Sequence, residues 1–73
     1  MSTFEKVAQM LADYKSIDVA TITPDTTFAS IGVDSLDMAE LAMNMEDEMG
    51  VTLEVNEDMK TVGSIVEAID AAK

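Results

Sequence analysis

Asp34-Ser35-Leu36-Asp37-Met38-Ala39-Glu40-Leu41-Ala42-Met43-Asn44-Met45-Glu46-Asp47-Glu48-Met49-Gly50 is the stretch of this 73-residue chain that decides its fold. Met38, Leu41, Ala42, Met45 and Met49 recur at the i, i+3, i+4, i+7, i+11 spacing of one buried helix face. Asp34 makes a good N-cap, and Asp37 and Glu40 put negative charge into the first turns, where the helix dipole favours it. Gly50 can take positive φ just past the last turn. The stretch therefore predicts a helix from Ser35 to about Met49. A second apolar line, Leu36, Ala39 and Met43, lies partly off the first, so this helix is apolar on more than one side.

Upstream, Phe4, Val7, Ala8, Leu11 and Tyr14 fall at helical spacing, and Ser2 with Glu5 can close a capping box, predicting a helix over Thr3 to Lys15. Glu5, Lys6, Gln9, Asp13 and Lys15 take its wetter side. Residues 16–33 keep neither helical nor strand period. Pro24-Asp25-Thr26-Thr27 is a turn signal and Gly32 a breaker. A loop this long in so small a domain is commonly functional, and Ile17, Val19, Ile22, Phe28 and Ile31 are spaced to pin it on a core. Downstream, Val51-Thr52-Leu53-Glu54-Val55 alternates like a strand but has no pairing partner, so it reads as an extended connector. Asn56 can cap a short turn of helix through Glu57, Asp58 and Met59. Thr61 caps a last helix with Val62, Ile65, Val66, Ile69 and Ala72 inward. The pattern is all-α: a small antiparallel bundle of three main helices plus one short helix, with a long loop between the first and second helices.

Composition narrows the function. Fifteen acidic residues against four lysines give a formal charge of −11. That balance excludes a phosphate-backbone binder of nucleic acid and disfavours anionic membrane surfaces. Basic patches on other proteins are its complement. Without cysteine there is no disulfide, thiolate metal site or thiol nucleophile, and without histidine no Ser-His-Asp catalysis or His-ligated zinc. No apolar stretch is long enough to span a membrane, and Met1-Ser2-Thr3-Phe4-Glu5-Lys6 does not open like a signal peptide. Any chemistry needs a borrowed reactive group. A calcium loop over Asp47 to Asp58 fails for want of spaced Asp/Asn ligands and the sixth-position glycine, so no metal site is expected.

Phe28-Ala29-Ser30-Ile31-Gly32-Val33-Asp34-Ser35-Leu36-Asp37 places a serine at the mouth of a helix, after a glycine-containing turn. Free N–H groups and the positive dipole end favour a phosphate there. A serine in an arbitrary Asp-Ser-Leu is usually just an early helix residue. Here Phe28-x-x-Ile31-Gly32-x-Asp34-Ser35-Leu36-Asp37 resembles the attachment motif of acyl carrier proteins. The resemblance extends over nearly the whole chain, including Ile22-Thr23-Pro24-Asp25-Thr26-x-Phe28 and the closing Thr61-Val62 helix. A serine hydrolase fits poorly, because Asp37 stands where a nucleophile elbow needs glycine.

The resemblance implies a non-catalytic carrier formed by residues 1–73 as a single acyl-carrier domain of the discrete, type II-like kind. Ser35, flanked by Asp34, would bear 4′-phosphopantetheine transferred from coenzyme A by a holo-carrier synthase, a phosphopantetheinyl transferase. Acyl chains would ride on it as thioesters to the enzymes of fatty-acid synthesis. Between Asp34 and Asp58 stand nine acids and no lysine. They form either a solvated face or a docking surface. By analogy with the family, Leu36, Ala39 and Met43, rimmed by Asp37, Glu40, Glu46 and Asp47, are the partner-binding residues for enzymes with basic docking patches. A cytoplasmic monomer is expected. Four of the seven methionines fall between Met38 and Met49, either as core filler or as a soft interior that accepts acyl chains. Leu53-Glu54-Val55-Asn56-Glu57 departs from the family's Ile-Pro-Asp-Glu-like turn, and Ala39 and Ala42 are small for their positions. The alternatives are a carrier for polyketide or peptide assembly, with Asp34 leaning toward the acyl branch because peptidyl carriers more often have other residues there, and an unmodified acidic protein-interaction module.

Overall fold

The computed structural model describes residues 2–56 and 58–72, and its helices start at capping residues. Helix α1 spans Thr3–Lys15, α2 Ser35–Met49 and α3 Val62–Ala72. At the start of α1 the Glu5 N–H donates to Ser2 Oγ at 3.1 Å while the Ser2 N–H donates to Glu5 Oε1 at 3.3 Å. This reciprocal box satisfies a donor that the helix itself leaves orphaned. The helix ends at Ser16, which takes a left-handed conformation at φ 56° and, with Ile17, returns its N–H to the Ala12 carbonyl. Thr61 and Ser64 cap α3 reciprocally, each backbone N–H reaching the other's hydroxyl.

Two side-chain bonds give the helices their relative sense. Tyr14, near the end of α1, donates to Asp37 at the start of α2, and Thr3, at the start of α1, donates to Asp70 near the end of α3. Thus α1 runs opposite to both other helices. Val7 and Leu11 from α1, Leu41 and Met45 from α2, and Val62, Ile65 and Ile69 from α3 are under 2% exposed and make the centre of the core. Burial of this apolar surface is the main stabilising force in a domain this size.

The long loop is stitched down as well as packed down. Ile22, Phe28 and Val33 are buried, and short 3-10 turns at Val19–Thr21 and Ala29–Ile31 take up part of its length. Its backbone also satisfies the first turn of α3: Val62 N–H donates to Thr26 O and Gly63 N–H to Pro24 O, both at 2.9 Å. A Cβ on Gly63 would stand 3.0 Å from that Pro24 oxygen, so glycine permits the close approach. Thr27 and Thr61 form an isolated antiparallel bridge beside these contacts.

Two expectations need correction. Val19 is 38% exposed and does not pin the loop, because the 3-10 turn rotates it outward. Ala72 is exposed at the end of α3, beyond the reach of the core. After Asn56 the expected short helical segment passes through Glu57; on the described residues beside it, Met59 N–H donates to Asn56 O and Asp58 N–H to Asn56 Oδ1, so Asn56 acts as the expected cap. The Lys60 N–H then donates to Asp58 O and its carbonyl accepts from Phe28 N–H, leading the chain into the bridge. Glu57 lies outside the described residues. The connector before it makes no strand, as expected, yet Leu53 is buried and its N–H donates to Glu46 Oε2 at 3.1 Å.

Candidate functional site

The start of α2 is built by the turn that precedes it. Phe28 anchors one side in the core, and Gly32, at φ +78°, reverses the chain so that Val33 N–H donates back to Phe28 O at 2.9 Å. Val33 is thereby buried and Asp34 emerges in extended conformation as the N-cap. Asp34 Oδ1 accepts from Asp37 N–H at 2.9 Å, and Asp37 Oδ2 accepts from Asp34 N–H at 3.2 Å. Ser35 is the first helical residue, exposed, with no hydrogen bond from its hydroxyl to any described group. The N–H groups of Ser35 and Leu36 likewise have no partner among the described residues, since the first backbone bond of the helix is Met38 N–H to Asp34 O. An exposed hydroxyl beside two free donors at a positive helix end is a good seat for a phosphodiester.

Ser35 also stands on the edge of an open groove of about 860 Å³. Phe28, Val33, Met38, Val55 and Met59 give the groove apolar walls, and Asp34, Asn56 and Lys60 contribute polar groups. The residues present therefore fit phosphopantetheine: a free attachment oxygen, donors for its phosphate, and an adjacent trough for a slender chain.

Asp37 does more than cap. Its carboxylate accepts from Tyr14 Oη at 2.8 Å and lies 3.6 Å from Lys15 Nζ, while Glu40 lies 3.1 Å from the same tyrosine oxygen. The Tyr14 hydrogen bond and then the Asp34 N–H hold the Asp37 carboxyl below its ordinary value, against an opposing effect of burial and with a lesser contribution from the charge of Lys15. The same bond to Asp37, with burial and Glu40, raises the Tyr14 phenol above its ordinary value. Asp37 thus contributes stability above its unfolded pKa of about 4, lost as pH falls through its lower folded value. Tyr14 contributes stability below about pH 10 that is lost as pH rises toward its raised folded value. Tyr14→Phe is therefore expected to move the Asp37 midpoint upward in a carboxyl NMR titration. It should also flatten the decline of melting temperature above about pH 10 relative to wild type. An unmoved Asp37 midpoint would show that this contact does not form in solution.

The expected partner strip resolves into two kinds of residue. Leu36 is 82% and Met43 65% exposed, Ala39 is exposed beside them, and Glu40 and Asp47 are exposed acids on the same helix. Asp37 and Glu46 are half-buried and hold Tyr14 and the Leu53 backbone, and Glu40, although exposed, also meets the Tyr14 hydroxyl. The sequence reading missed Tyr14 as the partner of Asp37 and Lys60 on the groove. Tyr14 sat at an inward helical position with a hydroxyl that needed a mate, which was the available signal. Among the described residues no acidic cluster could hold a metal ion, and no helix is long and apolar enough to cross a membrane.

Residues 5–69 match the protein family described as "Phosphopantetheine attachment site". An acyl carrier protein from Solidesulfovibrio magneticus is 40% identical over 70 residues, covering 94% of this chain and 88% of that protein.

Proposed function

This chain belongs to the acyl carrier protein family, a non-catalytic carrier of acyl chains on phosphopantetheine, and we propose that Ser35 is the residue that carries the group. The observation that supports it is the free, exposed hydroxyl at the first residue of α2, opening onto the groove. The prosthetic group supplies the thiol that this cysteine-free chain lacks. Ser35 Oγ forms the phosphoester as the pyrophosphate link of coenzyme A breaks and adenosine 3′,5′-bisphosphate leaves. Its proton passes to a base of the phosphopantetheinyl transferase. Asp34 holds the helix start rigid through its cap, which fixes where the oxygen stands.

Loading then makes the chain a mobile donor to enzymes of fatty-acid synthesis, acting as a monomeric, cytoplasmic, single domain over residues 1–73. Leu36, Ala39 and Met43 supply the apolar contact for those enzymes, and Glu40 and Asp47 steer their basic patches. Asp37 and Glu46 serve the same surface indirectly by fixing the shape of α2.

Incubation with coenzyme A and a phosphopantetheinyl transferase tests the assignment by intact mass. Wild type is expected to gain one phosphopantetheine, and Ser35→Ala none. An unmodified wild type would leave an acidic interaction module as the better reading, and a modified Ser35→Ala would move the site elsewhere.

A further inference from the structure

A phosphodiester on Ser35 adds negative charge between Asp34 and Asp37, with Glu40 on the next turn. The two free N–H groups at the start of α2 offset part of that repulsion. One lysine, Lys60, lines the same groove together with Asp34 and Ser35, while Lys15 Nζ comes within 3.9 Å of where a Cβ would stand on Gly32, in the turn before α2. Lys15 is already engaged with Asp37, and Lys6 lies on the exposed side of α1. Lys60 forms no ion pair with a described residue, so its ammonium is available to a new anion. Its backbone is pinned, because Phe28 N–H donates to its carbonyl at 2.9 Å beside the Thr27–Thr61 bridge. The flexible stem therefore starts from a fixed point on the groove wall.

Building on the assignment of Ser35, we infer that Lys60 is a positioning residue for the phosphate attached there, drawing the prosthetic arm along the groove instead of into solvent. The role needs only the side-chain charge. The structural duty of Lys60 is carried by its backbone and survives substitution.

Lys60→Gln and Lys60→Arg, each unloaded and loaded, separate this role from that of an ordinary solubilising lysine. At low salt, loaded Lys60→Gln is expected to melt about 2–4 °C below loaded wild type, while the unloaded pair agrees within about 1 °C. The phosphorus NMR resonance should move in Lys60→Gln and return in Lys60→Arg, and the melting gap should close in 0.5 M NaCl as the charges are screened, the Debye length being only ~3 Å at 1 M. Equal shifts in loaded and unloaded forms, or an unmoved phosphorus resonance, overturn the role of Lys60 alone. Peptide mapping of the same samples that finds the group on another residue overturns the Ser35 assignment and, with it, the role of Lys60.

Discussion

Met45→Ala is expected to lower the melting temperature by at least ~10 °C, whereas Met43→Ala leaves it within ~2 °C of wild type. The two methionines stand on one helix, two positions apart, and differ only in which way they face. Met45 is 0% exposed at the centre of the core, and Met43 is 65% exposed on the outer face of α2. Truncating a buried methionine removes its transfer free energy and leaves a cavity, together worth about 2–5 kcal/mol. A domain this small has a total stability near the low end of ~5–15 kcal/mol, so that loss consumes much of it. An exposed side chain leaves no cavity and has little transfer free energy to lose. Circular dichroism melts of the two variants check this, and similar melting for both would mean that Met45 is not packed as described. The functional order reverses. Met43→Ala is expected to weaken docking to an acyl-transfer enzyme with basic patches while its fold stays intact.

That contrast was half legible in the sequence. Periodicity separated the line through Met38, Leu41, Ala42 and Met45 from the line through Leu36, Ala39 and Met43, and only the first lies against the core. Helix boundaries were legible because capping chemistry is local: Ser2 with Glu5, Asp34 with its helix, and Thr61 each act within three or four residues. The Tyr14–Asp37 bond was not legible, since it joins residues 23 positions apart and depends on how α1 lies on α2. The seat of the loop was opaque for the same reason, because Gly63 matters only once Pro24 is known to approach it. Val19 and Ala72 show the limit of pattern reading. Periodic spacing says which residues share a side, but not where the core beneath them stops.

Raising NaCl from 10 mM to 0.5 M is expected to stabilise this protein and weaken its docking at the same time. Fifteen acids against four lysines leave a net charge of −11, and that excess negative charge, confined within a radius of gyration of 10.8 Å, repels itself. Two like charges ~10 Å apart in water cost about 0.4 kcal/mol, and unfolding spreads a chain of this length to a radius near 25 Å. The folded state therefore carries the larger repulsion, and salt relieves it as the Debye length falls from ~30 Å at 0.01 M to ~3 Å at 1 M. Relief on the order of 1–3 kcal/mol corresponds to a rise of about 5–15 °C in melting temperature. The ion pair between Lys15 and Asp37 is partly exposed at 3.6 Å, so its loss to screening is small beside that gain. Docking obeys the opposite sign, because attraction between Glu40, Asp47 and a basic partner is screened by the same ions. One salt series, read by thermal melts and by affinity for an acyl-transfer enzyme, thus separates the two effects of the acidic surface. A melting temperature that does not rise would show that the charges are too well solvated to strain the fold. An affinity that does not fall would remove the steering role and leave Leu36, Ala39 and Met43 as the whole of the docking energy.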